Sequence, residues 1–333
     1  MSTPRQIADA LRGADRETVL LGDEILVAPF CGRILAAGPG GGENAIWINP
    51  AMQSSPAAAD LLAGDGWLNH GGDRVWVSPE METHVEDPDR MFETYDVAAE
   101  VDPGAYQIAE QTADRITMRS SGAPRFKQSG RSVELAWSHT VERHARPNNL
   151  DDDIAFVGYQ TTTTLRASDY APTQPALWRL LQVPGGGRIT ALTNSGETPL
   201  TLFGEPELAI ESNRISCDVD TDAYYKFAIH HRDSAGIFLY RHDRGEHSDL
   251  IVRKFTVVPD GMYSDVPNFD PEKRGYIVQV YVDDGGFGEF GELEHHSTAL
   301  HGDLNEVTDV CQTLIYRGAA RAIDQLAAQN GLD

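Results

Sequence analysis

Two segments more than two hundred residues apart hold the side chains best suited to chemistry. They are His70-Gly71-Gly72-Asp73-Arg74-Val75-Trp76-Val77-Ser78-Pro79-Glu80 and Phe290-Gly291-Glu292-Leu293-Glu294-His295-His296-Ser297. Each reads as a β-strand or its edge, and a strand with charge on one face borders water or lines a polar site. Together they supply His, Arg and Glu, the groups needed to move protons on a polar neutral substrate. In the second segment, alternation puts Glu292, Glu294 and His296 on one face and Leu293 and His295 on the other. In the first, Arg74, Trp76 and Ser78 share a face, so a guanidinium fork for paired hydroxyls lies beside a ring on which a sugar could stack. Gly71 and Gly72 let the backbone pass close to a ligand. A half-buried sandwich face and a solvated edge strand are the plain alternatives for the two segments.

The rest of the chain must position these groups. Short β-branched or aromatic runs bounded by turn residues begin at Glu24–Ala28, Arg33–Ala37 and Ala45–Ile48. They continue through Arg115–Met118, Ser132–Trp137, Thr161–Leu165 and Ala176–Val183, then Phe227–Ile229, Gly236–Tyr240, Leu250–Phe255 and Tyr276–Val282. A dozen or more strands with few helices between them predict a large antiparallel all-β sandwich or barrel. Short helices are expected at Thr3–Leu11 and Ala319–Gln329. Asn148–Asp153 reads as a polar loop that could divide two pseudo-halves, and Gly185–Gly187 as a hairpin turn. Gly38–Gly42 lacks the Lys-Ser/Thr of a phosphate loop, and no nucleotide site is expected there.

Composition narrows the function classes. Among 333 residues, 27 Lys and Arg face 51 Asp and Glu, a formal charge of −24. That balance argues against nucleic acid and anionic membranes as partners and leaves a neutral sugar or polyol unaffected. No apolar run long enough for a membrane span occurs, and Met1–Arg5 shows no signal-peptide pattern. Cys31, Cys217 and Cys311 are odd in number and far apart, which implies a reduced, cytoplasmic setting without a disulfide framework. The histidines show no metal spacing, so neither a metal nor a cofactor is expected.

These pieces, in order, resemble the galactose mutarotase-like superfamily of aldose 1-epimerases and related sugar-processing domains, nearest to uncharacterised bacterial members. Gly32–Leu35 and Glu43–Pro50 look like the family's early strands, and Asn69-His70-Gly71-Gly72 is similar to its Leu-His-Gly-Gly step. Glu292–His296 falls where epimerases carry Leu-Glu-Thr-Gln, whose Glu is the base. The resemblance implies one β-supersandwich domain over residues 1–333 and a sugar or oligosaccharide ligand. Glu294 would be the base, His70 a substrate contact or acid, and Arg74 a hydroxyl clamp. The family's Asn-His acid has no clear counterpart, leaving His139, His230 or His231 as substitutes. Trp76, Glu292, His296 and His230 complete the expected substrate contacts. The same fold also carries lyases and glycoside-cleaving enzymes, and a non-catalytic sugar-binding domain is the third reading.

Overall fold

A computed structural model of the chain describes residues 2–332. Two antiparallel sheets face each other, which is the expected all-β supersandwich. In the first sheet, nine strands run in the order Val19–Leu21, Ile25–Ala28, Arg33–Ala37, Asp73–Ser78, Ala176–Pro184, Phe290–His296, Val278–Val282, Tyr225–Ile229, Leu200–Phe203. The second has ten strands, and its centre is formed by Ser234–Arg244, His247–Phe255, Glu306–Gly318 and Ala155–Ala167. Val27, Ile34, Leu181, Val280 and Leu293 of the first sheet pack with Ile189, Phe238, Ile251 and Ile315 of the second. Among the described residues, no helix is long and apolar enough to cross a membrane.

The three central strands of the first sheet, Asp73–Ser78, Ala176–Pro184 and Phe290–His296, are buried at every residue. A strand covered on both faces loses the inside-outside contrast of a half-exposed one. One face lies against the second sheet. The other is roofed by the excursion after Ser78, which includes the short helices Glu80–His84 and Met91–Thr94, and by loops near residues 267 and 287.

The expected helices are present as Pro4–Gly13 and Ala320–Ala327. Thr3 caps the first, with a reciprocal bond from its backbone to the Gln6 side chain. Three expectations are corrected. Ala45–Ile48 forms no strand; Ile48 makes only an isolated bridge to Gly71, because Asn44 takes the backbone groups of Ala37 and Ile46. Gly185–Gly187 is not a hairpin, since the strand before it pairs in the first sheet and the strand after it in the second. Turn residues announce a change of direction, not which sheet receives the chain. Asn148–Asp153 divides nothing: it links Leu135–Arg143 to Ala155–Ala167, which pair directly.

A charged network pins the two sheets together. Arg253 of the second sheet donates to both Asp73 oxygens, at 2.7 and 3.2 Å. Arg179 approaches the same carboxylate at 3.4 Å and donates to Thr163 and Thr161 at 2.7 and 2.8 Å. Tyr159 adds a hydroxyl at 3.1 Å. All four ionic and phenolic groups are fully buried or nearly so. Because side chains alternate along a strand, Asp73 faces this interior while Arg74 faces the opposite way. The same geometry turns His295 inward to Asp309, 3.3 Å away, with Glu294 and His296 on the other side.

Candidate functional site

Cross-strand register builds the site. Trp76 lies opposite Trp178, and Trp178 opposite His296. Gln182 lies opposite Glu292, Glu292 opposite Tyr281, and Tyr281 opposite Lys226. Between these rows, Leu180 pairs with both Arg74 and Glu294. Paired residues share a face, so all of these side chains leave the sheet on the side away from its partner sheet. Above them is a cavity of about 350 Å³ lined by Arg74, Trp76, Trp178, Gln182, Lys226, Glu292 and Glu294, with Glu80 and Tyr95 from the roof.

The floor is aromatic and held in place. Trp76 meets Trp67 and Trp178 edge-on, at 5.7 and 5.4 Å. Asp102 accepts the indole N–H of Trp67 at 2.7 Å and of Trp76 at 3.0 Å, and it is itself paired with buried Arg33. His296 stacks on Trp178 at 5.3 Å. The Arg74 guanidinium lies 4.4 Å from the Trp76 ring and the Lys226 ammonium 4.9 Å from that of Trp178.

Lys226 reaches Glu80 and Glu294, each at 3.1 Å. Tyr95 donates to the other Glu80 oxygen at 3.2 Å, and the Glu80 backbone N–H is anchored on Asp265 at 2.8 Å. Glu292 accepts from Arg74 at 2.9 Å and Gln182 at 2.7 Å. Three carboxylates therefore face two cations, and the third is Glu294. It is fully buried; one oxygen takes Lys226 and the Trp178 indole N–H at 2.9 Å, and the other has no protein partner. Burial raises this carboxyl most, Lys226 pulls it back, Glu292 and Glu80 raise it again, and it is pushed up to about 8. Burial also acts on Lys226, but Glu294 and Glu80 outweigh it and raise the ammonium above its ordinary value.

A raised carboxyl takes up a proton on folding. Its contribution to stability is complete below the ordinary value of 4.5 and is lost as pH rises through about 8. Melting temperatures of the wild type and Glu294→Gln should therefore diverge between pH 6 and 9, the wild type falling faster. Each pH unit shifts the balance by up to about 1.4 kcal/mol, a few degrees in a chain of this size. Parallel melting curves across that range would place the proton elsewhere.

The expected site residues separate into two groups. Arg74, Trp76, Glu292 and Glu294 line the cavity together, and His296 supports its floor through Trp178. His70, His139 and His230 do not join them. His70 lines a neighbouring hollow with Arg16, Phe30 and Asp102, which shares only Trp67 with the cavity; burial, then Arg33, push it down to about 3. His139 lies between the sheets, 2.8 Å from Thr163, and burial followed by Arg179 pushes it down to about 3. His230 lies past the end of its strand against His231 and Tyr276. No histidine lines the cavity among the described residues.

Lys226, Trp178, Gln182 and Tyr95 were not singled out from the sequence. Lys226 did leave a trace: it is the one charge in Tyr225-Lys226-Phe227-Ala228-Ile229, and a cation buried in such a run needs an anionic partner.

Solved structures show distant similarities to this chain. A galactose mutarotase-like protein from Lactobacillus casei ATCC 334 is 12% identical over 91% of this chain and 99% of its own, with a TM-score of 0.47. The Slr1438 protein from Synechocystis sp. PCC 6803 is 9% identical over 89% and 91%, at 0.48. A galactose 1-epimerase from Lactobacillus acidophilus NCFM is 8% identical over 88% and 91%, at 0.43. The chain is similar to galactose mutarotase-like structures. No protein-family model and no curated protein matches it.

Proposed function

We propose that the cavity binds a free neutral aldose and interconverts its anomers by acid–base catalysis. One observation supports this reading above the others: four buried polar atoms of the lining have no protein partner. They are Nε and Nη1 of Arg74, Oε1 of Gln182 and Oε1 of Glu294. Two are donors and two are acceptors, in a site whose remaining lining is largely aromatic and aliphatic. Vicinal hydroxyls both donate and accept, so a polyol offers complementary partners to both kinds of group.

Glu294 is the proton acceptor for the anomeric hydroxyl. Its second oxygen has no protein partner, and a carboxyl raised to about 8 is, once ionised, a stronger base than an ordinary carboxylate. The second proton carrier, expected to be a histidine, is here Lys226. As Glu294 takes the O1 proton, the C1–O5 bond breaks and Lys226 protonates O5. The open aldehyde rotates about C1–C2, O5 attacks the other face of C1, and both protons return. The catalyst ends as it began.

Thermal-shift measurements with free aldoses, uronic acids and phosphorylated sugars test the ligand class, because a ligand of the native state raises the melting temperature. Stabilisation by free aldoses supports the proposal. Stabilisation confined to uronic acids or oligosaccharides, with an unsaturated product absorbing in the ultraviolet, would favour a lyase instead.

A further inference from the structure

The cavity has two chemically distinct ends. Arg74, Lys226, Glu292 and Glu294 lie at its floor, where Glu294 is 0% exposed, while the exposed Asp96 carboxylate of the lining is paired with Lys127. At its mouth, Phe92 is 63% exposed, Phe287 57% and Tyr224 37%. These rings are ordered against one another. Phe203 stacks on Tyr224 at 5.0 Å and meets Phe92 edge-on at 5.5 Å, while Tyr224 stands perpendicular to Tyr281 at 5.8 Å. On the opposite wall Phe287 meets Trp67 at 5.7 Å. Its loop is fixed by Asp283, which accepts the backbone N–H of Gly285, Phe287 and Gly288 at 2.9, 2.9 and 3.2 Å. Large apolar side chains are rarely left in water in one prearranged patch unless something covers them.

Resting on the reading of the floor as an aldose site, we propose that the sugar carries an aromatic or similarly apolar substituent remote from C1, and that the Phe92–Phe203–Tyr224–Phe287 mouth holds it. The patch is continuous with the floor through Tyr281, whose strand partner is Glu292. With C1 at Glu294, at the bottom, the far end of the hexose points to the mouth. Three of the four mouth residues are phenylalanines, which offer nothing to the hydroxyls of a second sugar and a full ring face to an apolar group.

Isothermal titration with D-galactose, D-glucose, their 6-O-benzyl ethers, and lactose and maltose tests this. The benzyl ethers should bind about tenfold or more tightly than the parent hexoses and the disaccharides. Phe92→Ala, which removes a ring that is mostly in solvent, should bring that ratio to within about twofold. Benzyl ethers no tighter than the parent hexoses, or disaccharides that gain as much, would overturn the apolar assignment while leaving the aldose site standing. If neither hexoses nor benzyl ethers bind, the aldose reading falls and this inference with it.

Discussion

Replacing Glu294 by Gln is expected to cut the rate of anomer exchange by about a hundredfold to ten-thousandfold, the usual range for a positioned proton carrier. The fold should survive. Gln keeps the volume, still offers an oxygen to Lys226 and the Trp178 indole, and removes a carboxyl whose ionised form is disfavoured by burial. Binding should change far less than turnover, because Arg74, Gln182 and the indole floor remain. Circular dichroism and melting measurements separate lost chemistry from lost structure. A Gln variant with wild-type turnover would remove Glu294 from the mechanism, and one that binds normally in a protein without turnover would leave a binding domain.

The second large effect is on stability. Asp73→Ala leaves Arg179 and Arg253 buried without their carboxylate and should cost about 3–5 kcal/mol, set against a total of about 5–15 kcal/mol for a typical domain. Glu93→Ala breaks a pair with Arg90 in which both side chains are more than half exposed, and should cost under about 1 kcal/mol. Urea unfolding of the two variants makes the comparison. Burial would raise the Asp73 carboxyl, but Arg253 and Arg179 outweigh it and hold it at about 2. A depressed carboxyl stabilises the fold above its ordinary value of 3.8, and that contribution is lost as pH falls through about 2. The Asp73 variant should therefore lose its disadvantage in strong acid. Equal cost for the two substitutions at neutral pH would mean that the interior network contributes little.

What the sequence reveals follows from the two-residue period of a strand. That period suffices to place Glu292, Glu294 and His296 on one face and His295 on the other, and to set Trp76 beside Arg74; the structure has both arrangements. It cannot say which distant strand lies alongside. Lys226 reaches Glu294 only because Tyr225–Ile229 pairs with Val278–Val282 and that strand with Phe290–His296, a register encoded nowhere locally. The same gap led to the histidines. His70 and His139 are chemically plausible acids, yet His70 opens into the adjoining hollow and His139 into the space between the sheets. Ala176–Pro184 conceals Trp178 and Gln182 for another reason: with both faces covered, its apolar run shows no inside-outside contrast to read.

The most direct test of the central claim is the rate at which a freshly dissolved single anomer of D-glucose or D-galactose equilibrates, followed by polarimetry from pH 6 to 9 with and without the protein. Glu294 acting as base predicts acceleration over buffer that rises with pH through about 8 and then levels. Rates equal to buffer at every pH, for sugars that demonstrably bind, would contradict it.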